Sequence, residues 1–164
     1  MSILLVILII IVIYFLYRRR SKSYPIINYR ATIISQNTPN NIPLNTSNIL
    51  FIIHNDKFQL NNETLNHLNS IGVNNFMNEK NPNINTKYQI PNGMSLPGTM
   101  SVTIPARPNE HYLSIYTKIV QTNEIILLSN LNLKENNKWI DSINAPLYAP
   151  NYNQPIAYIQ LVKE

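Results

Sequence analysis

The chain has 164 residues, a formal net charge of +5, no cysteine and only three glycines. Without Arg18, Arg19, Arg20 and Lys22 it keeps nine basic and eight acidic side chains, so most of its net positive charge comes from one short cluster. Nucleic-acid-binding domains gather basic residues on one face, and a phosphate-binding loop needs several glycines, so the composition argues against both functions.

The first predicted element is a membrane anchor. Residues 1–17 form an uncharged, almost wholly apolar run, and about 17 residues is the lower limit for a helix that crosses a bilayer. No basic residue precedes this run and no small residues end it, so a cleaved signal peptide is not expected. The predicted anchor comprises Ile3, Leu4, Leu5, Val6, Ile7, Leu8, Ile9, Ile10, Ile11, Val12, Ile13, Tyr14, Phe15, Leu16 and Tyr17. The residues expected to contact lipid headgroups are Arg18, Arg19, Arg20 and Lys22.

The basic cluster also predicts orientation. Basic residues that flank a membrane helix stay in the cytoplasm, so we expect the N-terminus outside and the following domain inside, in a cell or virion membrane. The predicted organisation is an anchor with its basic cluster over residues 1–20, a linker over residues 21–25 and one β-rich domain over residues 26–164. An exported envelope or adhesion module is the alternative that the sequence leaves open.

The first half of the domain predicts two strands and a helix. Residues 24–35 carry the β-branched and aromatic side chains of a strand, and residues 36–47 carry the turn residues of a loop. The continuous apolar run over residues 49–54 predicts a strand that is buried on both faces, with residues 58–60 as its hairpin partner. Residues 61–71 predict a capped helix that ends at Gly72, and a second short helix is expected over residues 74–80.

The second half of the domain predicts strands only. Apolar and polar residues alternate over residues 99–104 and 111–120, and apolar runs follow over residues 124–129 and 156–162. Short strands separated by turn residues favour an antiparallel β-sandwich or barrel. The predicted fold class is therefore mainly β, or α+β: a single transmembrane helix followed by a small antiparallel sandwich with one or two short helices.

Few residues could support catalysis. His54 and Asp56 at the end of the apolar strand are the best pair, because a histidine near a carboxylate can act as a general base or bind a metal. The favoured interpretation is a simple turn, in which Asp56 bonds the local backbone and His54 is half exposed. No third residue follows at a zinc-like spacing, and the sequence has no strained serine elbow, so no catalytic residue, metal or cofactor is assigned. A tethered enzyme or small-ligand binder that uses His54 and Asp56 is kept as an alternative.

The strongest candidate for binding a partner is the segment over residues 145–155. Its prolines favour an extended backbone, and interleaved aromatic rings are typical of surfaces that contact other proteins. The equal alternative is a long loop that packs its aromatic side chains onto the core of the domain itself. The candidate partner-binding residues are Trp139, Pro146, Tyr148, Pro150, Tyr152 and Pro155.

These features together predict a function without catalysis. With 27 asparagines and 26 isoleucines, the composition resembles that of proteins from large DNA viruses with AT-rich genomes, and equally that of proteins from AT-rich protists or bacteria. We expect a membrane-anchored structural or scaffolding protein, in contact with the lipid bilayer through its anchor and with a protein partner through its β domain.

Overall fold

The structure, a computed structural model, describes residues 11–12, 25–35, 42–150 and 152–164. Within these ranges no helix combines the length and the apolar character needed to cross a membrane. This finding contradicts the predicted transmembrane helix in the fold class, and with it the single-pass localisation and its orientation. Ile11 and Val12 are the described residues of the predicted anchor, and both have helical backbone. The rest of the span over residues 3–17, together with Arg18, Arg19, Arg20 and Lys22, lies outside the described residues.

The described residues are mainly β. The strands are β1 (Ile27–Ser35), β2 (Leu44–Asn45), β3 (Ile49–His54), β4 (Ile84–Ile90), β5 (Ser95–Leu96), β6 (Gly98–Ala106), β7 (Tyr112–Lys118), β8 (Ile125–Asn132), β9 (Lys134–Glu135), β10 (Lys138–Trp139), β11 (Ser142–Leu147) and β12 (Ala157–Lys163). The helices are α1 (Asn62–Ile71) and α2 (Val73–Asn78).

Two four-stranded antiparallel sheets form the body of the fold. The first sheet has the strand order β11-β12-β1-β6, and the second sheet has the order β4-β3-β7-β8. Two small ribbons, β2-β5 and β9-β10, complete the pairing. The predicted antiparallel β architecture agrees with this arrangement.

The main core lies between the two sheets. Along β1 and β12 every second residue is buried, including Tyr29 and Ile33 of β1 and Ile159 of β12. These residues pack in one cluster with Phe51 of β3 and Ile115 of β7. The first sheet therefore buries one face and turns the other outward, as the period of two in a strand requires.

A second core covers the outer face of the second sheet. Leu50 and Ile52 of β3 pack against Leu68 of α1 and Phe76 of α2. All six residues of β3 are buried as a result, which confirms the prediction from its continuous apolar run. Asn61 caps α1, because its side-chain oxygen accepts a hydrogen bond from the backbone N–H of Thr64.

Several local predictions were wrong. Residues 58–60 form no strand, and the apolar side chains of Phe58 and Leu60 join the second core instead. The predicted loop over residues 36–47 contains β2, although residues 36–41 lie outside the described part. The strand β4 was not predicted, and the extended loop expected from residue 145 begins as part of the strand β11.

Candidate functional site

His54 at the end of β3 is the polar group closest to a catalytic arrangement. Only 1% of its surface is exposed. Its Nδ1 lies 2.7 Å from the carbonyl oxygen of Asn55, and its Nε2 lies 2.9 Å from Ser114 Oγ. Because a carbonyl oxygen only accepts, Nδ1 carries the proton and Nε2 accepts from the Ser114 hydroxyl. Burial lowers the pKa of His54 below its ordinary value of 6.5 and favours the neutral ring.

A bulge in the second sheet holds Ser114. The register between β7 and β8 shifts between Leu113 and Ile115, so Ser114 has no Cα partner on β8. The backbone N–H of Asn130, a residue with a φ of 56°, donates to Ser114 Oγ over 3.0 Å. This chain of hydrogen bonds satisfies both buried side chains, which is how a buried polar network stabilises a fold.

Asp56 does not take part in this network. Its side chain is exposed, and both ring nitrogens of His54 already have other partners. The structure therefore does not bring the two predicted residues together as an acid–base pair. Across the described ranges, no group of three or more histidine, cysteine, aspartate or glutamate side chains could hold a metal ion.

Two of the predicted partner-binding residues belong to the main core. Trp139 and Tyr152 are half-buried and pack against it. The ring centroid of Trp139 lies 6.2 Å from that of Tyr29, whose hydroxyl donates to the carbonyl oxygen of Ile140 over 2.7 Å. Burial and the nearby charge of Asp141 raise the pKa of Tyr29 to about 12, so this hydroxyl remains a donor. Trp139 thus fixes the β9-β10 ribbon to the sandwich.

The other predicted residues lie at or beyond the end of β11. Pro146 is half-buried in the strand and pairs with Tyr158 of β12, while Tyr148 beyond it is 48% exposed. Pro150 is exposed and Pro155 is half-buried. The structure therefore places Pro146 next to Tyr158, which is 52% exposed and was not predicted as a partner-binding residue, whereas the backbone of Tyr148 forms a bridge with Leu127 of β8 in the second sheet.

Pro146 and Tyr158 lie on the face of the first sheet that is turned away from the main core. We call this face the open face. Its cross-strand rows follow from the strand register: Tyr158 stands between Pro146 and Ile34, and Gln160 stands between Asn144 and Thr32. We define the open face by its central members: Arg30, Thr32, Ile34, Thr99, Ser101, Thr103, Asn144, Pro146, Tyr158, Gln160 and Val162.

The open face is nearly uncharged. Arg30 is the one charged side chain among its defined members, and its Nη2 lies 2.8 Å from Glu164 Oε1. Hydroxyl groups occupy the centre, where Thr32 Oγ1 and Ser101 Oγ lie 2.8 Å apart. The alternating pattern of β12 could have identified Tyr158 and Val162, because a predicted strand with large residues at every position must turn some of them outward.

Comparison with known proteins identified no family. The sequence matches neither a protein-family model nor a curated protein.

Proposed function

We propose that this protein is a non-catalytic, structural or scaffolding protein and that the open face binds a protein partner. The observation that carries the proposal is the unequal covering of the two sheets. Helices α1 and α2 cover the outer face of the second sheet, whereas the open face leaves Tyr158 about half exposed. Aromatic side chains are enriched in protein interfaces because they bury a large area at little cost in conformational entropy.

The charge of the open face indicates what kind of partner it can bind. Arg30 already has a carboxylate partner in Glu164, so the open face offers no unpaired charge to an ionic surface. It offers apolar area at Tyr158 and Val162, which are 52% and 42% exposed, and hydrogen-bonding groups between the apolar side chains. A partner of matching chemistry is a protein surface with apolar and uncharged polar groups, because burying an unpaired charge against this face would be costly.

A catalytic alternative has weaker support. His54 is enclosed and its ring nitrogens are bonded to Ser114 and Asn55, so no nitrogen is left to accept a proton from a substrate in this arrangement. A geometry with a free base next to an open pocket would be needed for that chemistry.

Site-specific photocrosslinking tests the proposal. A photoreactive amino acid is placed at position 158 in the full chain, expressed in the cells that make the protein, and a second variant carries it at position 88. Tyr88 is the matched control, because it is a tyrosine with 42% exposure at the edge of the second sheet. We expect a discrete adduct with another protein at position 158 and none at position 88.

Three results would contradict the proposal. No adduct at position 158, or equal adducts at both positions, would show that the open face has no special role. An adduct of twice the mass of the chain would identify a second copy as the occupant and contradict a distinct partner.

A further inference from the structure

The helix side of the second sheet contains a cleft of about 470 Å³. The end of α1, the start of α2, the outward side of β7 and the segment before β3 form its walls. This volume falls in the range of about 300–1,000 Å³ that is typical of small-molecule sites. The cleft lies away from the open face, so what it binds is independent of the proposed function.

Internal hydrogen bonds occupy the amide oxygens of three asparagines in the cleft. Asn69 Oδ1 accepts from the Tyr116 hydroxyl over 2.7 Å, and Asn48 Oδ1 accepts from the backbone N–H of Asn92 over 3.1 Å. Asn74 Oδ1 accepts from Gln89 Nε2 over 2.9 Å. These bonds fix the orientation of each amide, and the side-chain NH₂ groups have no hydrogen-bond partner in the described part of the chain.

Ser47 and Lys118 add two further donors to the cleft, whereas Asn75 uses its Nδ2 to donate to the carbonyl oxygen of Ile71 over 2.8 Å and is not counted among the donors. Ser47 Oγ accepts from the backbone N–H of Lys118 over 3.2 Å, which leaves its own hydrogen to donate. The ammonium of Lys118 has no ion-pair partner among the described residues, and no carboxylate is among those that line the cleft. Leu68 and Val73 supply an apolar part of the wall.

We propose that this cleft binds a small organic anion through its carboxylate or phosphate group. Such a group presents only acceptor oxygens, so it matches amide NH₂ groups, a hydroxyl hydrogen and an ammonium, and hydrogen bonds to a charged group are the strong ones. A neutral ligand that carries its own hydrogen-bond donors would place them against the donors of the cleft, which is unfavourable because both sets would stay unpaired. The apolar wall accommodates a short hydrocarbon portion of the ligand.

The test is NMR titration of the ¹⁵N-labelled full chain with three probes: inorganic phosphate, succinate and the neutral polyol erythritol. We expect saturable shifts of the side-chain amides of Asn48, Asn69 and Asn74 with at least one of the two anions. Phosphate alone would identify a phosphate ester as the ligand class, and succinate alone would identify a carboxylate. Erythritol should cause no saturable shift.

Asn69→Asp is the decisive variant, because it keeps the oxygen that accepts from Tyr116 but replaces the donor by a negative charge. We expect its anion affinity to fall about tenfold or more, and that of Lys118→Gln to fall as well. Asn144→Asp makes the same chemical change on the first sheet and should bind as the wild type does. The inference is overturned if neither anion gives saturable shifts, if erythritol binds equally well, or if Asn69→Asp retains the wild-type affinity.

Discussion

The two four-stranded sheets are built from the same kind of antiparallel pairing, but their outer faces differ in solvent exposure. The second sheet is buried on both faces at β3, where all six residues are inaccessible. The first sheet buries alternate residues only, and its open face carries exposed Tyr158 and Val162. A helix pair after β3 accounts for the difference, because its apolar side chains cover one sheet and not the other. Truncating an outward side chain should therefore cost more stability on the covered sheet than on the open face, and partner binding should depend on the open face.

The largest expected difference between the two sheets is in the cost of truncating an apolar side chain. Ile52→Ala removes buried methyl groups between β3 and the helices, and should lower the free energy of unfolding by about 2–5 kcal/mol. Val162→Ala on the open face should cost about 0.5 kcal/mol or less, because the side chain is already 42% exposed. Urea denaturation of both variants checks the comparison. Equal costs would mean that the open face is covered in the folded protein.

Removing a hydroxyl group should also destabilise the second sheet more than the first, with a smaller difference in the free energy of unfolding. Ser114→Ala leaves His54 Nε2 and the N–H of Asn130 without their buried partner, so the free energy of unfolding should fall by about 2–3 kcal/mol. Ser101→Ala removes the hydroxyl that bonds Thr32 on the open face, and should change stability by less than about 0.5 kcal/mol. Thermal denaturation monitored by circular dichroism measures both. A small effect of Ser114→Ala would contradict the buried network.

The helices that cover the second sheet are stabilised in part by the N-cap of α1. Asn61→Ala removes the oxygen that accepts from the N–H of Thr64, and should lower the free energy of unfolding by about 1 kcal/mol. Asn62→Ala, one residue later and also exposed, is the matched control and should have little effect. Urea denaturation again provides the measurement. Equal effects would place the start of the helix at a different residue.

The smallest expected effect is a dependence of stability on pH. The pKa of His54 is lowered by burial, so the unfolded chain binds a proton at a higher pH than the folded protein does. Stability should be constant above the ordinary value of 6.5 and should decrease as the pH falls through the lowered pKa. His54→Gln should reduce this slope, while His111, whose pKa is lowered by burial and by Lys134, carries part of the remainder. An unchanged slope in His54→Gln would contradict a buried neutral histidine.

The sequence predicted the elements whose local pattern and final environment agree. The apolar run of β3 and the capped helix α1 were recognised because burial on both faces and an N-cap each leave a local signal. Pro146 misled the prediction for β11, since proline suggested an extended loop. An edge strand tolerates proline, and β11 is an edge of the first sheet. The strand β4, also an edge, is rich in polar residues and gave no clear period.

Contacts between distant residues could not be predicted at all. Asp56 was the nearest candidate partner of His54 in sequence, but the ring bonds Ser114, which is 60 residues away. The open face could not be predicted for the same reason, because its rows combine residues of four strands that are brought together only by the register of the sheet. A single segment, such as residues 145–155, contains only part of that surface.

Whether the open face binds the partner is decided by the affinity of the purified, crosslink-identified partner for two tyrosine variants. Tyr158→Ala truncates an aromatic side chain at the open face, and Tyr88→Ala truncates one of similar exposure on the second sheet. By isothermal titration calorimetry we expect Tyr158→Ala to weaken binding about tenfold or more, as truncation of an aromatic anchor does, and Tyr88→Ala to bind as the wild type does. Wild-type affinity in Tyr158→Ala together with weakened binding in Tyr88→Ala would contradict the account.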